Sequence, residues 1–485
     1  YGSRSVIAQQ GGLMSGLQTG GLLAVAILLA GCAALKPPAP MTVRLRTSAP
    51  VVANAGSDAH WPDAQWWRTY GDPTLDALIE AAIGKAPEIA SAEARIRSAE
   101  QEVRLAGAAM GLRVDANAQF VRQRLSDNAL LPTSFLGFNW YDQSDLGVSA
   151  RYQFDWWGKQ RAAMAAALDR SRASAAERQV AGLALAAAVS EAYFSWQAAA
   201  ARIALQEESL LVLNQELQLA ERRAAADLER ADTAITLQQS VAAHQEVLAG
   251  LRGQQQLQRV TLGALLGVST DTLPPLTPRP LPHPAGTLPA DIGTNLLARR
   301  PDIAASRWRV EAALRDTDTA RATFYPDVSL RALAGLSSIE LGRLLRADSG
   351  VPALGIAIDL PLFDAGLRRA RHGAAEASLN IAIAAYDEAV VNAAREAGAA
   401  AAAIDQAAAQ RRAREQQLGA ASALLAVARA RVASELTHLG PQLEARLNEI
   451  TGQDALVRVD LDALLADVQL KQALGGGPAQ TETFQ

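Results

Sequence analysis

The chain carries the same message twice. Pro87-Glu88-Ile89-Ala90 returns as Pro301-Asp302-Ile303-Ala304, and the same offset aligns Arg95 with Arg309, Ala99 with Ala313 and Val114 with Val328. Further on, Phe154-Asp155-Trp156-Trp157-Gly158 faces Leu362-Phe363-Asp364-Ala365-Gly366, at a slightly smaller offset that a loop of different length explains. Such a duplication means two copies of one supersecondary unit, and any fold must place both.

Each copy contains the same series of elements. An amphipathic helix is predicted over about Pro87 to Gly111, and again over about Pro301 to Phe324. Period-two alternation follows. Val114, Ala116, Ala118 and Phe120 alternate with Asp115, Asn117 and Gln119, and Leu146 to Phe154 with Gly147, Ser149, Arg151 and Gln153. In the second copy Val328 and Leu330 alternate with Ser329 and Arg331, and Leu354 to Leu360 with Gly355, Ala357 and Asp359. One apolar face at period two is the strand signature. The stretches between, Leu125 to Gln143 and Ser338 to Pro352, read as loops from their Pro, Gly, Asn, Asp and Ser.

After each strand pair comes a proline-free helical run, Gly158 to Ala226 and Gly366 to Ala433. At 1.5 Å per residue, ~68 residues reach about 100 Å, more than a compact domain needs. Apolar residues recur every seven positions at Val189, Trp196, Ile203, Leu210 and Leu217, and at Ala397, Ile404, Leu418 and Leu425, with Arg411 as the one polar break. A heptad over that length implies helices wound against partners. Both runs turn at charged clusters, Asp227 to Asp232 and Ser434 to His438, and return helices follow over about Ala234 to Leu266 and Gln442 to Leu474.

Composition excludes several classes. The 485 residues hold 46 Lys and Arg against 50 Asp and Glu, a formal charge of -4 that argues against a nucleic-acid binder. The single cysteine, Cys32, forbids an internal disulfide, and five scattered histidines show no metal-ligand spacing. No nucleophile elbow, phosphate loop or paired catalytic carboxylates point to an enzyme, and no cofactor is expected.

At the N-terminus, Gly21 to Ala30 is an apolar run too short to span a bilayer but suited to a signal-peptide core. It ends in Leu29-Ala30-Gly31-Cys32, which resembles the bacterial lipobox, so Cys32 is the expected lipidation site. Arg4 is the only positive charge ahead of the run, and Met14 is a candidate start. Ala33 after the cysteine, in place of Asp, points to the outer membrane in lipoproteins. The expected layout is a signal peptide over 1–31, a lipid-anchored tether over 32–60 and a first repeat over 61–272. Its strand pair spans about 113–156 and its hairpin 158–266. A Pro-rich linker over 273–290 leads to a second repeat over 291–474, with a strand pair over 327–362 and a hairpin over 366–474. A flexible tail over 475–485 ends the chain.

Four strands are too few to close a barrel with an interior, and open edges are not tolerated in a bilayer. Copies must therefore pool their strands; three would supply about twelve, enough for a pore. Apolar strand residues then face lipid, and Asp115, Asn117, Gln119, Arg151, Gln153, Ser329, Arg331 and Asp359 face water.

Several sequence words support a family resemblance. They are Trp66-Trp67 with Tyr70-Gly71-Asp72-Pro73 and Leu75, Phe154-Asp155-Trp156-Trp157-Gly158, and Leu297-Ala298-Arg299-Arg300-Pro301-Asp302-Ile303. Phe324-Tyr325-Pro326, Leu360-Pro361-Leu362-Phe363-Asp364-Ala365-Gly366 and Gln472-Ala473-Leu474-Gly475-Gly476-Gly477 complete the series. In this order, from about Trp61 to Gly477, they resemble the TolC-like outer membrane efflux factors, specifically the NodT-like lipoprotein branch. The resemblance implies a mainly α protomer with a small membrane β part. It also implies a homotrimer with a twelve-stranded β-barrel continuous with a twelve-helix tunnel, docked to a periplasmic adaptor and an inner-membrane RND-type pump. The implied function is passive exit of drugs or other small toxic molecules through the outer membrane; nucleic acid is not an implied partner.

The resemblance also implies a periplasmic gate at the hairpin tips. Here Asp227 stands before Leu228 where the family has Gly, and Asp232 adjoins Thr233, the family's Asp position. Asp227 and Asp232 are therefore the candidate gate residues, and Arg429, Arg431 and Glu435 candidate adaptor contacts; solvated turn charges are the alternative for each. Ser434 takes the family's Gly position at the second tip, and Gly440 stands where an Asp is common. Leu112 replaces the usual Pro before the first strand and Pro478 the usual Trp at the end. Trp156 and Trp157 read as interface anchors or as packing at the barrel base, with packing favoured. An exit duct for secreted protein and a periplasmic adaptor lipoprotein are the competing functional readings.

Overall fold

The computed structural model describes residues 37–47, 61–126, 137–284 and 299–476. Cys32, the signal segment and the chain end beyond 476 lie outside the described residues. A short 3-10 turn, Trp66–Tyr70, precedes α1 (Pro73–Lys85) and α2 (Pro87–Ala108). Strands β1 (Arg113–Arg124) and β2 (Trp140–Phe154) lead into the hairpin of α3 (Lys159–Ala225) and α4 (Ala231–Leu266). The second copy repeats the order with α5 (Pro301–Ala322), β3 (Asp327–Ser338), β4 (Ala353–Asp359), α6 (Leu367–Ala433) and α7 (Gly440–Ala473). Both long helices contain 67 residues.

The expected mainly helical fold with four strands is present. One boundary moves: β2 begins at Trp140, inside the stretch read as loop. Polar Arg122 and Asp142 interrupt the alternation there, but they pair across the strands at 3.6 Å, and Tyr141 donates a hydrogen bond to Gln123 at 3.2 Å. Cross-strand pairing thus continues a strand that single-strand periodicity ends too early.

Two compact units emerge, each drawing on both halves of the chain: 1–44, 97–172 and 308–384 in one, 45–96, 173–307 and 385–485 in the other. The first contains the sheet, in the order β1-β2-β3-β4, antiparallel throughout. Each long helix begins here with the same device. Asp155 accepts from the backbone N–H of Gln160 and Arg161 at 3.1 and 2.9 Å. Asp364 likewise accepts from Gly366 and Arg368, both at 3.1 Å. Gly158 (φ 74) and Gly366 (φ 89) take the left-handed conformation that lets the chain turn from strand to helix. Burial disfavours the Asp155 carboxylate, but the N–H donors and the Arg161 guanidinium outweigh it and hold its carboxyl below the usual range. The duplicated Phe-Asp words are thus helix caps.

Trp156 and Trp157 are 63% and 47% exposed in the protomer, yet each lies against an aromatic neighbour at the strand-helix junction. Trp157 stacks on Tyr325 at 4.5 Å, and Trp156 on Phe154 at 5.6 Å.

The second unit contains a core of Trp66, Trp67, Leu75, Ile79, Tyr193, Phe194, Leu262 and Val468. The Trp-Trp…Tyr-Gly-Asp-Pro word organises it. Asp72 caps α1 through Thr74 N–H at 2.9 Å, with Pro73 at the first helical position. Tyr70 donates to the buried Asp467 at 2.6 Å, and Lys471 pairs with the same carboxylate at 2.9 Å. Burial, reinforced by Asp467, pushes the Tyr70 hydroxyl far above its ordinary value. Buried Arg300 forks onto Asp302 at 3.0 and 2.7 Å, donates to the Ala473 carbonyl at 2.9 Å and pairs with Glu396 at 2.8 Å. Gly475 and Gly476 follow because a Cβ would meet Arg299 O at 2.8 Å and Leu183 Cδ1 at 2.5 Å.

The heptad positions are all sheltered: Val189, Trp196, Ala397 and Leu425 are buried, and Arg411, the polar break, is bound to Asp460 of α7 at 2.8 Å. Replacing Arg300 by Ala should cost roughly 3 kcal/mol, because it strands Asp302, Glu396 and the Ala473 carbonyl at the end of α7. Thermal unfolding of the detergent-solubilised protein measures this. Arg300→Lys should recover only part, since an ammonium cannot reproduce the fork.

Candidate functional site

The polar face of the sheet is the first part of the site. Directly opposed residues in an antiparallel pair lie on one face, so the register decides which side chains stand together. Asp115 opposes Ser149, Asn117 opposes Gly147 and Gln119 opposes Asp145. Arg151 opposes Arg331 and Gln153 opposes Ser329; Asp327 opposes Asp359. Asp115, Asn117, Gln119, Arg151, Gln153, Ser329, Arg331 and Asp359 therefore all occupy one face, as the alternation predicts.

The other face is apolar and open. Val114, Leu146, Val148, Leu354, Ile356 and Ile358 lie on it, and the last three are 70% exposed or more. Aromatic residues flank this band on β2, with Trp140 at one end and Tyr152 and Phe154, packed edge to face at 5.1 Å, at the other. An outward apolar band between aromatic girdles is what a membrane strand needs. Among the described residues no helix is long and apolar enough to cross a membrane.

The hairpin tips are the second part. Asp227 and Glu435 both take the left-handed conformation, with φ of 56° each. Their hydrogen bonds match: Asp227 N–H donates to Ala224 O and Leu228 N–H to Arg223 O, while Glu435 N–H donates to Val432 O and Leu436 N–H to Arg431 O. This is the Schellman ending with a side chain in the glycine position. The residue equivalent to Asp227 is therefore Glu435, one beyond Ser434. Asp227 and Asp232 are both exposed, and Asp232, in the first turn of α4, pairs with Arg230 at 2.7 Å. Arg429, Arg431 and Glu435 are exposed as well. Arg431 borders a cavity of ≈310 Å³ with Leu424, Val427, Pro441 and Glu444.

Sequence reasoning missed a second acidic group near the tips. Glu216 of α3 is half-buried, and burial, then Glu444 and then Glu229, raises its carboxyl above the usual range. The available signal was position: Glu216 falls on the stripe of buried Ser209, Leu213 and Ala220. Charged ties hold α7 beside it. Arg446 binds Glu208 of α3 and Glu449 of its own helix, Arg202 pairs with Asp454 at 2.7 Å, and Ser422 donates to Glu449 at 2.7 Å.

A profile of the family described as outer membrane efflux protein matches residues 78–268 and 293–476, covering most of both halves. The multidrug resistance outer membrane protein MdtP of Escherichia coli is 31% identical over 468 residues, 94% of this chain and 95% of that protein. MdtQ, another multidrug resistance outer membrane protein of Escherichia coli, is 31% identical over 469 residues, 93% of this chain and 96% of that protein. The crystal structure of the outer membrane protein VceC from Vibrio cholerae matches with a TM-score of 0.77 at 31% identity, covering 86% of this chain and 100% of that one.

Glu216 makes a signed prediction. Its raised carboxyl contributes full stability at pH below the ordinary glutamate value, and that contribution is lost as pH rises through the raised value. Glu216→Gln should therefore raise the melting temperature at neutral pH and leave it unchanged in acid. Melting curves across the pH range test this, and equal gains at both ends would refute the assignment.

Proposed function

The chain belongs to the outer membrane efflux protein family, and from that premise we propose that it is the trimeric exit duct of a tripartite pump. It passes drugs or other small toxic molecules passively from the periplasm to the exterior. The observation that carries this reading is the sheet: four strands with two unpaired edges, one apolar face and one polar face. Only shared closure satisfies those edges inside a bilayer. Three copies give about twelve strands, and the polar face then lines the lumen.

The long helices continue the wall below the barrel. A periplasmic adaptor grips the tips, and an inner-membrane pump of the RND type supplies the energy. The adaptor contacts include Arg429, Arg431 and Glu435. Asp227 and Asp232, repeated around a threefold axis, form the acidic constriction, since like charges brought close repel by a few kcal/mol at intermediate dielectric. A diacylglycerol on Cys32 adds an anchor, each buried methylene contributing about 0.8 kcal/mol. MdtP and MdtQ bear names that specify multidrug resistance, which favours small molecules over secreted protein as the cargo. The duct performs no chemistry of its own.

Cross-linking and native mass measurement in mild detergent should give a trimer, and bilayer reconstitution should give ion-conducting channels. A protein that stays monomeric and silent refutes the duct. Asp227→Asn with Asp232→Asn should lower cation preference without abolishing conductance. Cys32→Ser should abolish incorporation of labelled fatty acid, and continued labelling would remove the anchor.

A further inference from the structure

Three arginines stand in one row across the polar face. Arg113 of β1 is directly opposite Arg151 of β2, Arg151 is opposite Arg331 of β3, and Arg331 is opposite Gly355 of β4. All three are exposed. Directly opposed residues have Cβ atoms about 5 Å apart, and like charges in that relation destabilise a sheet. The fold therefore holds an arrangement that costs it stability.

The row is incompletely neutralised from within. Arg113 Nε bonds the Asp115 carboxylate at 2.9 Å. Arg151 and Arg331 make no ion pair among the described residues. The acidic pair on the same face, Asp327 opposite Asp359, lies four residues further along β3, roughly 13 Å away at strand rise. That exceeds the screening length of about 8 Å at physiological ionic strength, and Asp327 is already bound by Lys159 at 3.2 Å. The basic row and the acidic pair are thus separate bands.

Space is left in front of the guanidinium groups. Gly355 ends the row without a side chain, and Gly147 opposes Gly335 two rows away. A Cβ on Gly335 would stand 3.0 Å from Leu146 O, so the sheet admits no larger residue there. A concavity of ≈590 Å³ in the sheet is lined by Asp115, Ser149, Arg151, Arg331, Leu333 and Gly355, with neither Gly147 nor Gly335 on its wall.

We propose that Arg151 and Arg331, flanked by Arg113, form an anion-binding band on the lumen wall. It takes halide, inorganic phosphate and the carboxylate or phosphate groups of anionic solutes. The assignment rests on the duct reading, in which this face is the lumen. A threefold assembly repeats the row around the barrel, and rings of arginine favour anions in a pore. A guanidinium presents a planar fork suited to oxyanions and stays charged at every working pH. The band and the tip acids then act in opposite senses, one raising the local concentration of anions and the other that of cations.

Reversal potentials under a steep KCl gradient, measured on the full-length protein in planar bilayers, test the band. Arg151→Gln with Arg331→Gln should lower the chloride-to-potassium permeability ratio by about threefold or more at low salt, an effect that fades as salt screens the charges. Arg151→Lys with Arg331→Lys should keep the wild-type ratio for chloride. Millimolar inorganic pyrophosphate should reduce the wild-type current and leave the Gln variant unaffected. Should the double variant fail to assemble, Arg331→Gln alone carries the test and should shift the ratio in the same direction. Normal conductance with an unchanged ratio and unchanged pyrophosphate block overturns the band and leaves the duct standing, whereas a wild-type protein that never conducts removes both.

Discussion

The controlling constraint is the pair of open edges on β1 and β4. A sheet of four antiparallel strands satisfies its inner backbone groups and leaves a row of N–H and C=O groups on each outer strand. In a bilayer each such unsatisfied group costs several kcal/mol. The apolar face adds to the demand. Leu354, Ile356 and Ile358 on β4 are among the most exposed apolar side chains, and each is worth about 1.5–3 kcal/mol once removed from water. A single protomer cannot meet either requirement. Copies joined edge to edge in lipid meet both, and the polar face is then forced to the inside.

The hand-over from strand to helix follows from the same constraint. A strand that ends at the membrane surface must continue as a helix at once, because an uncapped helix start would leave orphan donors at the boundary. Asp155 and Asp364 supply acceptors, and Gly158 and Gly366 supply the left-handed turn. The aromatic rings at this level, Phe154, Trp156, Trp157 and Tyr325, stay partly open and stack in pairs. The amphipathic Trp and Tyr rings among them suit the headgroup depth.

Much of this was legible in the sequence because periodicity and duplication are strong local signals. Alternation located the four strands and assigned Asp115, Arg151, Arg331 and the other polar residues to one face. The seven-residue repeat found the long helices and even isolated Arg411, whose partner Asp460 lies on another helix. What stayed hidden depends on pairing across the chain. The start of β2 at Trp140 needs β1 to be seen. The alignment of Arg113, Arg151 and Arg331 needs register, which no single strand encodes. The exposure of Trp156 and Trp157, and the environment of Glu216 beside Glu229 and Glu444, come from elements distant in sequence.

The hairpin tips show the limit in another form. Letter by letter, Ser434 looks like the counterpart of the first tip's turn residue. Backbone geometry says otherwise, since Glu435 has the φ of Asp227 and the same two hydrogen bonds close each turn. A left-handed conformation costs a side chain roughly 1–2 kcal/mol relative to the usual region, so the fold tolerates the same strain at both tips. With the turns aligned this way, each tip places one carboxylate at the turn and one exposed leucine after it, Asp227 with Leu228 and Glu435 with Leu436. The duplication therefore survives at the tips as a shared backbone turn bearing an acid, even where the neighbouring residues have diverged. The second tip thus repeats the turn acid of the first in the same backbone conformation, Glu435 for Asp227.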